Sequence, residues 1–246
     1  MWVFAALCPA MLVFAAWAAT SACTAQSLRL PGLASNDTRE VVETAATPWH
    51  ALGRVQTELG GRCTGVLVGP RTVLTAAHCL VTPRTGRFVQ PQSVHFLRGY
   101  HLGHWAAAGR AVRLRTGPGF DPRHRGPPEA DWALLTLDQE VAEGVPPLPL
   151  QQKLPPPGTP LMLGGYQQDR PELILADRGC HLLGVVRHDG APLLAHDCAG
   201  TRGASGAPVL ARDAAGAWSV IGIAVASAKD AARGLAVPAG ALPEAP

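Results

Sequence analysis

The sequence predicts an all-β protein built as two packed six-stranded β-barrels, and three observations carry that prediction. Glycine occurs 27 times and proline 23 times in 246 residues, a density of chain breakers that suits short strands and turns better than helices. Short β-forming runs follow one another from residue 52 onward, about six on each side of a proline-rich connector. No segment shows clear helical patterning over three turns or more.

In chain order, the first half reads as strands at 52–59, 63–68, 72–75, 93–97, 111–114 and 132–137. Gly60-Gly61, Gly69-Pro70 and Gly117-Pro118 mark turns between them. Pro146-Pro147 and Pro155-Pro156-Pro157-Gly158 bracket the connector. Strands at 160–166, 181–187, 193–196, 207–210, 218–226 and 235–237 follow. The expected barrels therefore occupy residues 47–145 and 146–246.

Ahead of them lie two segments of different character. Residues 1–22 form an apolar run that ends in the small residues Thr20-Ser21-Ala22, which reads as a secretory signal peptide. The usual basic start is missing, since no Lys or Arg precedes Arg29. A retained membrane anchor is a second reading of the same run, and lipid attachment at Cys23 a third. Residues 23–46 are polar and mixed, with a turn signal at Ser35-Asn36-Asp37-Thr38, and read as a linker or short propeptide. The expected location is secreted or periplasmic.

Composition narrows the function classes. A hydrophobic fraction of 47% supplies a sizeable core, and 16% charged residues is too few for a disordered chain. The formal net charge is only +3 and the arginines are scattered, so no nucleic-acid partner is expected. Four of six cysteines, Cys63, Cys79, Cys180 and Cys198, lie beyond the N-terminal segments. An even number in an exported chain argues for two disulfides, with three connectivities open. Pairing nearest neighbours gives Cys63–Cys79 and Cys180–Cys198, each closing a loop worth roughly 3 kcal/mol by chain entropy. A zinc site is the alternative, but the CxxC spacing it favours is absent.

Three motifs carry chemistry: Thr75-Ala76-Ala77-His78-Cys79, Asp131-Trp132-Ala133-Leu134-Leu135 and Gly203-Ala204-Ser205-Gly206-Ala207-Pro208. A serine hydroxyl is a weak nucleophile that needs an adjacent base, and the base needs an orienting carboxylate. His78 follows a buried-looking strand beside a bridging cysteine. Asp131 opens an apolar run, where a carboxylate needs a partner such as an imidazole N–H. Ser205 lies between glycines that permit a tight turn, able to aim the Gly203 and Ser205 N–H groups at one oxyanion.

These motifs, together with Cys63-Thr64-Gly65-Val66-Leu67-Val68, resemble the histidine, aspartate and nucleophile regions of chymotrypsin-like (trypsin-fold) serine proteases. The resemblance covers roughly residues 48–240 and is closest to the compact bacterial branch that includes glutamyl endopeptidases. It implies two perpendicular barrels with the active site between them, and a serine endopeptidase using His78, Asp131 and Ser205. It implies a protein or peptide substrate, no cofactor and no metal. Membrane contact is expected only through a retained N-terminal segment or a lipidated Cys23. The alternative is an inactive protease-fold scaffold of the cell envelope; an esterase without peptidase activity is a third reading.

Departures from the family pattern shape the remaining expectations. Ala204 stands where many relatives carry the aspartate that pairs with a newly cut N-terminus, so activation by that insertion is not expected. Ala207 replaces a second glycine, and the usual C-terminal helix is absent. Ala199 stands where trypsin-like enzymes place an aspartate, and the run 221–227 lacks the histidine with which glutamyl endopeptidases read glutamate. The expected pocket is therefore small and apolar, suited to a small or medium hydrophobic residue; His196 and Asp197 are the residues that would invert that preference, and their expected role is strand-end solvation. His101 and His104 read as a surface loop, and Trp49 and Trp132 as core aromatics.

Overall fold

A computed structural model describes residues 30–213 and 215–243. The apolar run 1–22 and Cys23 lie outside the described residues. Fifteen strands follow in order: β1 (Glu40–Val41), β2 (Leu52–Thr57), β3 (Arg62–Gly69), β4 (Thr72–Thr75), β5 (Val81–Thr82), β6 (Arg87–Phe88), β7 (Val94–Arg98), β8 (Ala107–Thr116), β9 (Ala133–Leu137), β10 (Pro160–Gln167), β11 (Arg170–His188), β12 (Ala191–His196), β13 (Pro208–Arg212), β14 (Trp218–Ser227) and β15 (Gly234–Pro238). The only helices among the described residues are short 3-10 turns.

The first half closes as a barrel in the order β2-β3-β4-β9-β8-β7. Closure leaves no free strand edge, so its backbone donors and acceptors are paired internally. β-branched and leucine side chains fill it. Val66, Leu67, Val73, Leu74, Phe96 and Leu135 have no solvent exposure at all. Fully burying a leucine contributes roughly 1.5–3 kcal/mol. Phe96 fits because Gly53 lies beside its ring, where a Cβ would fall 2.5 Å from Cζ.

The second half forms a sheet in the order β1-β11-β10-β13-β14-β15-β12, and β12 pairs back onto β11. β11 makes this return possible. Its 19 residues meet β10 and β1 along the first part and β12 along the second. The expected strand at 181–187 is only the latter portion. The two halves meet along β3, which is buried on both faces from Cys63 to Gly69. Trp49 and Trp132 are core residues, each 4% exposed.

Both disulfides take the nearest-neighbour pairing, Cys63–Cys79 and Cys180–Cys198. Residues 30–42, within the segment expected as a linker or propeptide, pack on the second half. Leu33 and Val42 are buried, and β1 pairs with β11.

Candidate active site

Strand register alone gathers two of the three predicted residues. Thr75 of β4 stands opposite Ala133 of β9. His78 follows the first and Asp131 precedes the second, so antiparallel pairing delivers both to one end of the first barrel. The Asp131 carboxylate accepts the His78 backbone N–H at 2.8 Å and lies 2.6 Å from the ring Nδ1. Asp131 is 3% exposed. A carboxylate removed from water needs such partners, and one oxygen each for backbone and ring fixes the imidazole's orientation. The Cys63–Cys79 bridge ties the turn carrying His78 to β3.

Ser205 sits on the loop between β12 and β13. Ala204 N–H donates to Thr201 O at 3.0 Å, Gly206 N–H to Ala224 O at 2.8 Å, and Ala207 N–H to Ala204 O at 2.9 Å. Among the described residues, the Gly203 and Ser205 N–H groups have no protein acceptor. Gly203 has φ +93°, and a Cβ there would run into Tyr166 O. Only glycine lets this loop take that conformation so close to β10. His78, Gly203 and Ser205 line a common cleft of about 570 Å³ with Arg125 and Arg202 at its walls. Asp131 is bonded to His78, and His78, Gly203 and Ser205 share this cleft.

A smaller cavity of about 200 Å³ opens beside Ser205. Its walls correct the expectation of a featureless apolar pocket. Ala204, Ala224, Val225 and Ala226 are there, but so are His196, Thr201, Arg202 and Ser227. His196 is 2% exposed, which overturns its assignment to strand-end solvation. The reason is Gly234, paired with His196 across β12 and β15. A Cβ at Gly234 would lie 2.5 Å from the imidazole, so the missing side chain is the space the ring fills. Nδ1 accepts the Cys198 N–H at 3.2 Å, leaving Nε2 buried without a protein partner. Burial pushes the ring's pKa down to about 4. Asp197 does cap the strand end, accepting the His181 N–H.

Cys63, His78 and Cys79 come within ligand reach of one another, but both sulfurs are committed to the disulfide. His101 and His104 bond through their backbones as a tight turn.

The family profile described as a trypsin-like peptidase domain matches residues 63–223, well over half of the chain. The chain belongs to the trypsin-like peptidase domain family. Its sequence is similar to the glutamyl endopeptidase of Bacillus licheniformis, 36% identical over 62 residues that span 25% of this chain and 19% of that protein. It is also similar to the cercarial protease of Schistosoma mansoni, 32% identical over 126 residues, 44% of each. The matches span less than half the length of these relatives. In three dimensions this trypsin-like chain is similar to a Glu endopeptidase solved in complex with MPD, with a TM-score of 0.65, 18% identity and coverage of 84% and 93%. A thermostable serine protease, AL20, from an extremophilic microorganism gives a TM-score of 0.60 at 22% identity, covering 78% and 93%. Both share the fold.

Sequence reasoning missed several residues that organise this trypsin-like site. Thr64 stood inside a quoted motif without a role. The Arg39–Gln167 and Gln167–Thr201 bonds carry no spacing signal, because each spans more than 30 positions in sequence. For His196 the readable hint was a glycine opening the paired strand.

Proposed function

We propose that this protein is an exported serine endopeptidase in which Ser205 is the nucleophile, His78 its base and Asp131 the group that orients His78. The observation that carries this reading is the 2.6 Å contact of His78 Nδ1 with Asp131 in a cleft that Ser205 also lines. Asp131 holds the proton on Nδ1, which leaves Nε2 free to take the hydroxyl proton. The Ser205 oxygen attacks the scissile carbonyl while His78 accepts its proton. The carbonyl oxygen becomes an anion received by the Gly203 and Ser205 N–H groups, each such donor worth about 2.7–4 kcal/mol. Collapse breaks the C–N bond, and His78 returns the proton to the departing amine. Water then enters by the same route, giving its proton to His78 and releasing the acid and Ser205.

The cavity beside Ser205 receives the side chain preceding the cut. Glutamate is the residue in the name of the similar Bacillus licheniformis glutamyl endopeptidase, and here the imidazole in the wall comes from β12 instead of the strand after the nucleophile. Neutral His196 has its donor on Nε2, since Nδ1 already accepts. With Thr201, Ser227 and the Arg202 charge beside it, this lining favours an acceptor-bearing side chain, Glu or Gln, over a hydrocarbon one. Two disulfides fit an oxidising compartment.

A fluorophosphonate probe tests the reading. Labelling of the wild type, lost in Ser205→Ala, together with cleavage of a peptide library after Glu or Gln, is the expected result. A folded wild type that takes no label supports the scaffold alternative. Ester turnover without any peptide cleavage supports the esterase.

A further inference from the structure

Residues 30–42 belong to the working enzyme. We propose that they form a strap that holds the specificity cavity and the Ser205 loop in register, with Arg39 as its positioning residue; this rests on the serine peptidase reading above. Two independent sets of bonds carry the inference.

The first set is at Gly32. Its N–H donates to Ala228 O at 2.7 Å, and its carbonyl accepts the Gly200 N–H at 3.0 Å. Gly200 and Ser227, the neighbour of Ala228, both line the cavity beside Ser205. One residue therefore ties together two segments that line the cavity. The fit is close enough that a Cβ on Gly32 would overlap Gly200 O, and its φ of +83° favours glycine in any case.

The second set is at Arg39, whose side chain is 1% exposed. Its guanidinium donates to both Asp37 oxygens, both Asp169 oxygens and Gln167 Oε1. Those five bonds use its full donor complement. Gln167 is completely buried at the end of β10, and its Oε1 also accepts the Thr201 N–H at 2.8 Å. Thr201 O in turn accepts the Ala204 N–H, the turn that presents Ser205. A chain of hydrogen bonds thus runs from the strap to the residue beside the nucleophile. Arginine suits this position because its planar fork is rigid and keeps its charge when buried. Ala204 cannot take a cation from a cut N-terminus, whereas this internal cation reaches the same loop through one amide. Any processing of the chain would then have to stop short of Gly32.

The experiment uses the full chain. Arg39→Gly should lower kcat/KM by roughly tenfold to a hundredfold, as small misplacements of reacting groups do, and added guanidinium ion at low millimolar concentration should restore part of it. Arg178→Ala removes only the exposed ion pair to Glu40 of β1 and should leave kcat/KM unchanged. Gly32→Ala, which strains the clip without touching Arg39, should raise KM for a library-derived peptide more than it lowers kcat. Full activity in Arg39→Gly overturns the proposal, and so does a loss that guanidinium does not relieve. If Arg39→Gly does not fold, an unchanged KM in folded Gly32→Ala overturns it instead. Wild-type labelling by fluorophosphonate is read in parallel: its absence condemns the serine reading, whereas its presence with any of those failures condemns the strap alone.

Discussion

The backbone N–H of Thr64 in the first barrel donates to the carbonyl of Ser205 in the second at 3.0 Å. The Thr64 hydroxyl adds a bond to Gly203 O at 2.8 Å and accepts the buried Tyr166 N–H at 2.9 Å. Its own carbonyl takes the Thr75 hydroxyl at 2.7 Å, on the strand that leads to His78. One fully buried threonine therefore links β4, β10 and the Ser205 loop. Thr64→Val keeps the shape and removes the hydroxyl. It leaves the Tyr166 N–H without an acceptor, at a cost of about 1–3 kcal/mol. The expected outcome is a lower urea midpoint together with a reduced kcat, because Gly203 O also loses its donor. A drop in stability with unchanged kcat would show that Thr64 braces the fold without aiming the loop.

Asp131→Asn should leave the barrel intact and remove most turnover. An amide can present its N–H to the ring and thereby favour the wrong imidazole tautomer. The loss expected is about 10⁴-fold in kcat, the size of effect in the serine protease from which this rule is drawn. Steady-state kinetics on the folded variant measure it.

The Cys63–Cys79 bridge closes a loop of 16 residues in sequence separation. Replacing both cysteines by serine should lower unfolding free energy by about 3 kcal/mol on the chain-entropy account. Because Cys79 adjoins His78, kcat should fall as well. Removing Cys180 and Cys198 should cost similar stability, and both effects are read from urea titrations and kinetics of the paired variants.

Stability should fall as solutions are acidified, in part through His196. Burial holds its folded-state pKa at about 4, below the ordinary histidine value of 6.5. Above the ordinary value neither state is protonated and the group contributes nothing. Between the two values the unfolded chain binds a proton that the folded ring refuses, so stability drops with pH; below the lower value the loss is complete. Full loss amounts to about 3 kcal/mol. His196→Gln should remove this component. The difference between wild type and variant in urea-derived stability should therefore shrink or change sign on going from about pH 7.5 to about pH 5.

Much of the architecture was legible because it is local. All twelve expected strands correspond to observed ones, since glycine and proline punctuate the sequence where the chain turns. The first part of β11 was not read: Pro171 and Glu172 interrupt its pattern, and its partners β1 and β10 hold it regardless. β1 is two residues long and exists only through pairing. The three site motifs were visible for the same reason as the strands, each being a short string with local meaning. Arg39 and Gln167 were not, because a bond across 128 positions leaves no trace in spacing. His196 was misjudged because alternation along β12 does not reveal that Gly234 has vacated the space beside it.

Each disulfide staples one half to itself, Cys63 to Cys79 in the first and Cys180 to Cys198 in the second. Among the described residues no covalent bridge besides the main chain spans the seam between them. What holds them is packing, one continuous apolar interior that takes in Val66, Leu67 and Leu74 of the first half and Tyr166, Leu193 and Val220 of the second, so heat should melt both in a single cooperative step.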